Sequence, residues 1–116
     1  MFGLLKQDIE LIVEAITHFD EIECAFIYGS ALGSYKKGSD IDIAVTGLGT
    51  SRNTASNLRE LSNEEYPLPY FFDIVHYESI TNEKLTEHID HNGIRIYRNE
   101  KILYENPQPY NPPSDN

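Results

Sequence analysis

Leu5, Ile9, Ile12, Ile16 and Phe19 recur at the spacing of one helix face, so the segment LKQDIELIVEAITHF predicts an amphipathic helix over residues 5–19. The pattern then shortens. Cys24 to Tyr28, Ile41 to Val45 and Tyr70 to Tyr77 are brief runs rich in β-branched and aromatic residues, bounded by Gly, Ser, Asp or Pro, and each predicts a buried strand. Between the second and third runs, TGLGTSR is a turn-rich loop, after which Asn53 can cap a short helix through Ser62 with Ala55, Leu58 and Leu61 on one side. Pro67-Leu68-Pro69 ends that helix. Beyond the third strand, Ser79 or Thr81 can cap a helix over residues 82–91 that turns Leu85 and Ile89 inward and stops at Asn92-Gly93. The runs IRIY and KILY, either side of Arg98-Asn99-Glu100, then read as a hairpin. Alternating helices and strands predict a small α/β (α+β) domain, a mixed sheet flanked by helices, over residues 1–105. The Pro-rich tail, residues 106–116, is expected to be disordered or a short docking segment.

A chain of 116 residues can bury one modest core but not two, which leaves no room for a second domain. No apolar run approaches the roughly 18 residues a membrane span needs. Residues 1–6 lack a basic start leading into a cleavable apolar segment, so the expected compartment is the cytoplasm. The lone cysteine, Cys24, lies in a predicted strand and reads as core packing rather than as a nucleophile. With 19 acidic against 9 basic side chains and a net charge of −10, the chain lacks the basic patches that grip nucleic acid, and no direct nucleic-acid binding is expected. An acidic surface suits a basic protein partner instead.

The chemistry concentrates in FIYGSALGSYKKGSDIDIAV, residues 26–45. Strand alternation points Asp40 and Asp42 to one face and Ile41, Ile43 and Val45 to the other. Two carboxylates this close raise each other's pKa, a cost that a divalent cation removes. Oxygen ligands suit Mg²⁺ or Mn²⁺, and no His-Cys set with zinc spacing occurs in the chain. Gly29-Ser30 breaks the preceding strand, where glycine permits close backbone approach and Ser30 can cap a helical turn whose N–H groups bind phosphate. Lys36 and Lys37 add positive charge nearby or are solvated surface; Ser39 completes the phosphate-binding candidates. Asp73 interrupts the apolar run YFFDIVHY, where an unpaired buried carboxylate is costly, so it reads as a third metal ligand or as a solvent-facing strand residue. His18 reads as a helix-end or surface residue and His76 as a packed or exposed imidazole; with His88 and His91 they form no cluster in the sequence.

A Gly-Ser after a strand, a spacer of nine residues and an Asp-Ile-Asp opening the next strand resemble the signature of the DNA polymerase beta-like nucleotidyltransferase superfamily. The longer stretch YGSALGSYKKGSDIDIAV is most similar to the minimal nucleotidyltransferase (MNT) family, in which a later strand carries a third carboxylate, here Asp73. Ala31 stands where family members more often have Arg. The resemblance implies a polymerase beta-like core. It further implies Asp40, Asp42 and Asp73 as catalytic metal ligands for Mg²⁺, two ions in the full site, and Gly29-Ser30 as the cradle for the phosphates of an ATP donor. It implies transfer of AMP to a hydroxyl, and for the MNT family an antitoxin that adenylylates a tyrosine of a separately encoded HEPN-domain ribonuclease toxin, in a hetero-oligomer. Two other readings remain at this level: a binding module that silences its partner by occlusion without turnover, and an antibiotic-modifying transferase with its acceptor site between subunits.

Overall fold

The computed structural model describes residues 6–29, 40–66 and 71–100. Its elements run α1 (Lys6–Ile16), β1 (Cys24–Tyr28), β2 (Asp40–Thr46), α2 (Arg52–Glu64), β3 (Phe71–His76), a 3-10 turn (Tyr77–Ser79), α3 (Glu83–Asn92) and β4 (Ile94–Arg98). The four strands form one mixed sheet in the order β3-β2-β1-β4. β1 pairs antiparallel with β2 and β4, whereas β2 and β3 are parallel. The expected α+β architecture, a mixed sheet flanked by helices, is the one observed.

Alternation along the strands divides the core in two. Ala25, Ile27, Ile41, Ile43, Val45, Phe72 and Ile74 face α1 and α2 and bury against Ile12, Ala15, Ile16, Ala55 and Leu58. Tyr28 and Ala44 face the other way and are covered by Ile89 of α3, with Val75, Tyr77, Ile80 and Leu85 packed around them. On this second face, among the described residues, Asp42 of β2 is half-buried and Asp73 of β3 is exposed.

Helix boundaries differ from expectation where local side chains compete for backbone groups. α1 ends at Ile16 rather than Phe19; Thr17 Oγ1 donates to Glu14 O at 2.6 Å and His18 Nδ1 donates to the same carbonyl at 3.1 Å, closing the helix with a turn. α2 is capped by Ser51, not Asn53. The Ser51 hydroxyl accepts from Thr54 N–H at 3.3 Å while Ser51 N–H donates to Thr54 Oγ1 at 3.1 Å, a reciprocal box that Asn53, inside the first turn, cannot make. Asn82, expected as the first residue of the next helix, is its cap, accepting from Lys84 and Leu85 N–H. Ile94 to Arg98 forms a strand as expected, but its partner is β1; residues 101–104, expected as the other arm of a hairpin, lie outside the described residues. So do Leu5, Pro67 to Pro69 and the tail from Asn106.

Candidate active site

Where β1 ends and β2 and β3 begin, Tyr28 of β1, Asp42 of β2 and Asp73 of β3 stand in one cross-strand row: Tyr28 is the register partner of Asp42, and Asp42 of Asp73. Register partners on neighbouring strands point to the same face about 4.8 Å apart. Asp42 and Asp73, two of the three carboxylates expected as metal ligands, thus lie side by side on adjacent strands. Asp40 opens β2 two residues earlier, its backbone opposite Phe71.

Gly29 follows Tyr28 with φ +105°, a conformation that side-chain-bearing residues rarely adopt. A Cβ built on it would stand 2.6 Å from Asp42 Oδ2. The glycine's first service is therefore to admit the Asp42 carboxylate against the turn at the end of β1. The electrostatics agree with this crowding. The Tyr28 phenol is only 6% exposed, and burial first, then the charges of Asp42 and Asp73, push its pKa up to about 12. Tyr28 therefore stays a neutral hydrogen-bond donor at physiological pH. His88 of α3 meets its ring edge to face, with centroids 6.1 Å apart at 74°.

Asp73 is exposed and makes no hydrogen bond or ion pair among the described residues, so its place in the site follows from register and not from the cost of burial. Phe71, on the same face by alternation, is 62% exposed. Among the described residues no three His, Cys, Asp or Glu side chains gather as a metal-binding group. The pair Asp42 and Asp73 nevertheless fits a hard divalent cation: both donors are carboxylate oxygens, and after burial, the larger cause, their charges add to the rise in the Tyr28 pKa. Ser30, Lys36, Lys37 and Ser39 lie outside the described residues. Sequence reasoning assigned no part to Tyr28 or His88; the available signal was that Tyr28 immediately precedes Gly29 in a strand.

The remaining candidates are structural. His76 Nδ1 lies 2.6 Å from Ser79 Oγ and its Nε2 2.9 Å from Thr50 Oγ1 and 3.3 Å from Glu78 Oε1. Glu78 also accepts from the Thr46 hydroxyl and, at 2.9 Å, from Gly47 N–H, tying the 3-10 turn to the end of β2. Cys24 is half-buried, and burial raises its thiol pKa, which suits packing and not nucleophilic attack. No helix among the described residues is long and apolar enough to cross a membrane.

Three solved structures share this fold. A toxin-antitoxin MntA-HepT structure aligns with TM-score 0.57 at 18% identity, covering 87% of this chain and 79% of that one. A tri-AMPylated Shewanella oneidensis HEPN toxin in complex with an MNT antitoxin aligns with TM-score 0.61 at 17% identity, over 86% and 77%. A toxin-antitoxin structure with AMP-PNP aligns with TM-score 0.60 at 18% identity, over 88% and 80%. No curated protein matches the sequence. The family described as polymerase beta, nucleotidyltransferase matches residues 10–102, which span the whole sheet and the row Tyr28-Asp42-Asp73, and the chain belongs to that family.

Proposed function

We propose that the chain is a Mg²⁺-dependent nucleotidyltransferase that moves AMP from ATP to a hydroxyl, a tyrosine, of a HEPN-domain partner, and so serves as the antitoxin of a toxin-antitoxin pair. The observation that carries this reading is the register pairing of Asp42 with Asp73 beside Gly29, inside a nucleotidyltransferase domain. The similar structures support the choice of donor and acceptor: one holds AMP-PNP, and another pairs an MNT antitoxin with a tri-AMPylated HEPN toxin.

Asp42 and Asp73, with Asp40, would hold the cation, one ion or two. When bound, a divalent metal neutralises charge on the α-phosphate and on the departing pyrophosphate. Gly29 and Ser30 bind the phosphates, helped by Lys36, Lys37 and Ser39. Asp73, exposed at the sheet edge, takes the acceptor hydroxyl's proton. The hydroxyl oxygen then bonds to the α-phosphorus, the bond from that phosphorus to the β-phosphate's bridging oxygen breaks, and pyrophosphate leaves. Tyr28, protonated beside the carboxylates, offers a donor on the same face. The partner protein supplies the acceptor surface, and the acidic surface, at net charge −10, favours a basic one. Both act in the cytoplasm.

Incubating the purified chain with Mg²⁺ and α-labelled ATP, with and without a co-encoded HEPN protein, tests the reading. Label on a tyrosine of the partner that disappears with Asp42→Asn is the expected result. Full neutralisation of the partner by an Asp42→Asn/Asp73→Asn chain, without label, would establish occlusion in its place; Ala31, where the family more often has Arg, is the residue that favours that second reading.

A further inference from the structure

Among the described residues β3 is an edge strand, and one side chain of α2 already treats it as a template for pairing. Asn63 Oδ1 accepts from Phe72 N–H at 3.1 Å and Asn63 Nδ2 donates to Phe72 O at 3.4 Å, so a side-chain amide completes the outward-facing backbone pair of Phe72 as a neighbouring strand would. Period-two alternation puts the next outward pairs at Ile74 and His76. These residues line an open groove of about 430 Å³ between α2 and the segment Ser79-Ile80. Its floor is apolar, with Ala55 and Ile74, and its α2 wall carries Arg52 and Arg59. Both arginines are exposed, and neither forms an ion pair among the described residues. Seven residues apart on one helix, they sit about 10.5 Å apart along its axis, a span that their long side chains can match to carboxylates two or four residues apart on one face of an extended chain. A cationic wall beside an apolar floor is out of keeping with a chain of net charge −10.

We propose that this groove is a second binding site, one that takes an extended acidic peptide segment of a partner protein as an added strand on β3. The segment's backbone pairs with Ile74 and His76, its carboxylates on the α2 face meet Arg52 and Arg59, and its alternate aliphatic side chains lie on the other face against Val75 and Ile80. The groove lies at the C-terminal end of β3 and is not lined by Asp42 or Asp73, which stand nearer the N-terminal ends of β2 and β3. The site thus has the opposite charge preference from the rest of the surface and stands independently of the transferase reading.

The test uses the full chain and a labelled peptide alternating glutamate with valine, followed by fluorescence anisotropy at constant ionic strength, beside a lysine-valine peptide of equal length. Binding of the acidic peptide alone, weakened about tenfold or more by Arg52→Glu/Arg59→Glu, is expected. Both substitutions are on exposed positions, and circular dichroism verifies the fold. Hydrogen exchange supplies the second measurement: the amides of Ile74 and His76 should slow when the peptide binds, while those of β4, the opposite edge, should not. No binding, binding unaffected by the charge reversal, or binding without slowed exchange at Ile74 and His76 overturns the proposal. Complete displacement by inorganic phosphate without any such protection would identify a small-anion site and overturn it equally.

Discussion

Gly29 and Asp42 interlock: the space a side chain would take at Gly29 is filled by Asp42 Oδ2, 2.6 Å from the position of the missing Cβ. Gly29→Ala therefore combines an unfavourable positive φ with a displaced carboxylate. The backbone conflict should cost about 1–3 kcal/mol in stability, read by urea denaturation. Transfer of labelled AMP should fall about a hundredfold, because small misplacements of a catalytic group carry losses of that order. Unchanged transfer by a chain that melts lower would separate Gly29 from the site.

Tyr28 reports on both carboxylates. Its pKa rises from an ordinary 10.0 to about 12 through burial and the charges of Asp42 and Asp73. Above pH 10 the unfolded chain releases this proton while the folded chain keeps it, so this contribution to stability is intact below pH 10 and is lost as pH rises towards 12. Asp42→Asn and Asp73→Asn should each make that alkaline loss shallower, and Tyr28→Phe should remove Tyr28's share. Denaturant titrations across this range measure it; identical slopes in all four chains would mean that the row does not share one electrostatic environment.

The cap of α2 gives a paired comparison. Ser51→Ala removes the acceptor for Thr54 N–H and should cost about 1 kcal/mol, whereas Asn53→Ala, at an exposed position within the first turn, should change stability by a few tenths at most. Equal effects would place the cap elsewhere.

Asn63 holds the edge of β3 through two hydrogen bonds to Phe72. Asn63→Ala should cost about 1–2 kcal/mol and raise aggregation on heating, since it exposes a strand edge. Transfer activity should persist in the fraction that stays folded. Light scattering during a thermal ramp, with the labelled-ATP assay alongside, checks both.

These residues show where the sequence was legible. Faces were readable because the period-two rule is local: Ile41, Ile43 and Val45 are buried together, as expected, and the glycine at the end of β1 was visible as a break. Register was not readable, because which residue of β3 stands beside Asp42 depends on a pairing between segments separated by a whole helix. The same non-locality hid Tyr28's electrostatic role and the use of Asn63 as a surrogate strand. Caps were misplaced by one to three residues where several Ser, Thr and Asn compete, as at Ser51 and Asn53, and only the formed helix reveals which hydroxyl or amide reaches the free N–H groups. For Asp73 the burial argument does not hold, because the side chain is exposed; what places it beside Asp42 is the register of β2 and β3.

That adjacency makes a metal-binding prediction that is independent of turnover. If Asp42 and Asp73 act as one ligand pair, neutralising either should weaken the site nearly as much as neutralising both, because the affinity comes from chelation by the two together and an ion that loses one of them takes back water whether or not the other remains. Mn²⁺ binding, followed by water-proton relaxation, should weaken by about tenfold or more for Asp42→Asn and for Asp73→Asn, with the double variant adding little. Asn preserves shape while removing charge, so the comparison isolates electrostatics from packing. Independent losses that simply add would indicate two separate weak contacts, and an unaltered affinity in Asp73→Asn would remove the edge strand from the metal site, leaving Asp40 and Asp42 on β2 as its protein ligands.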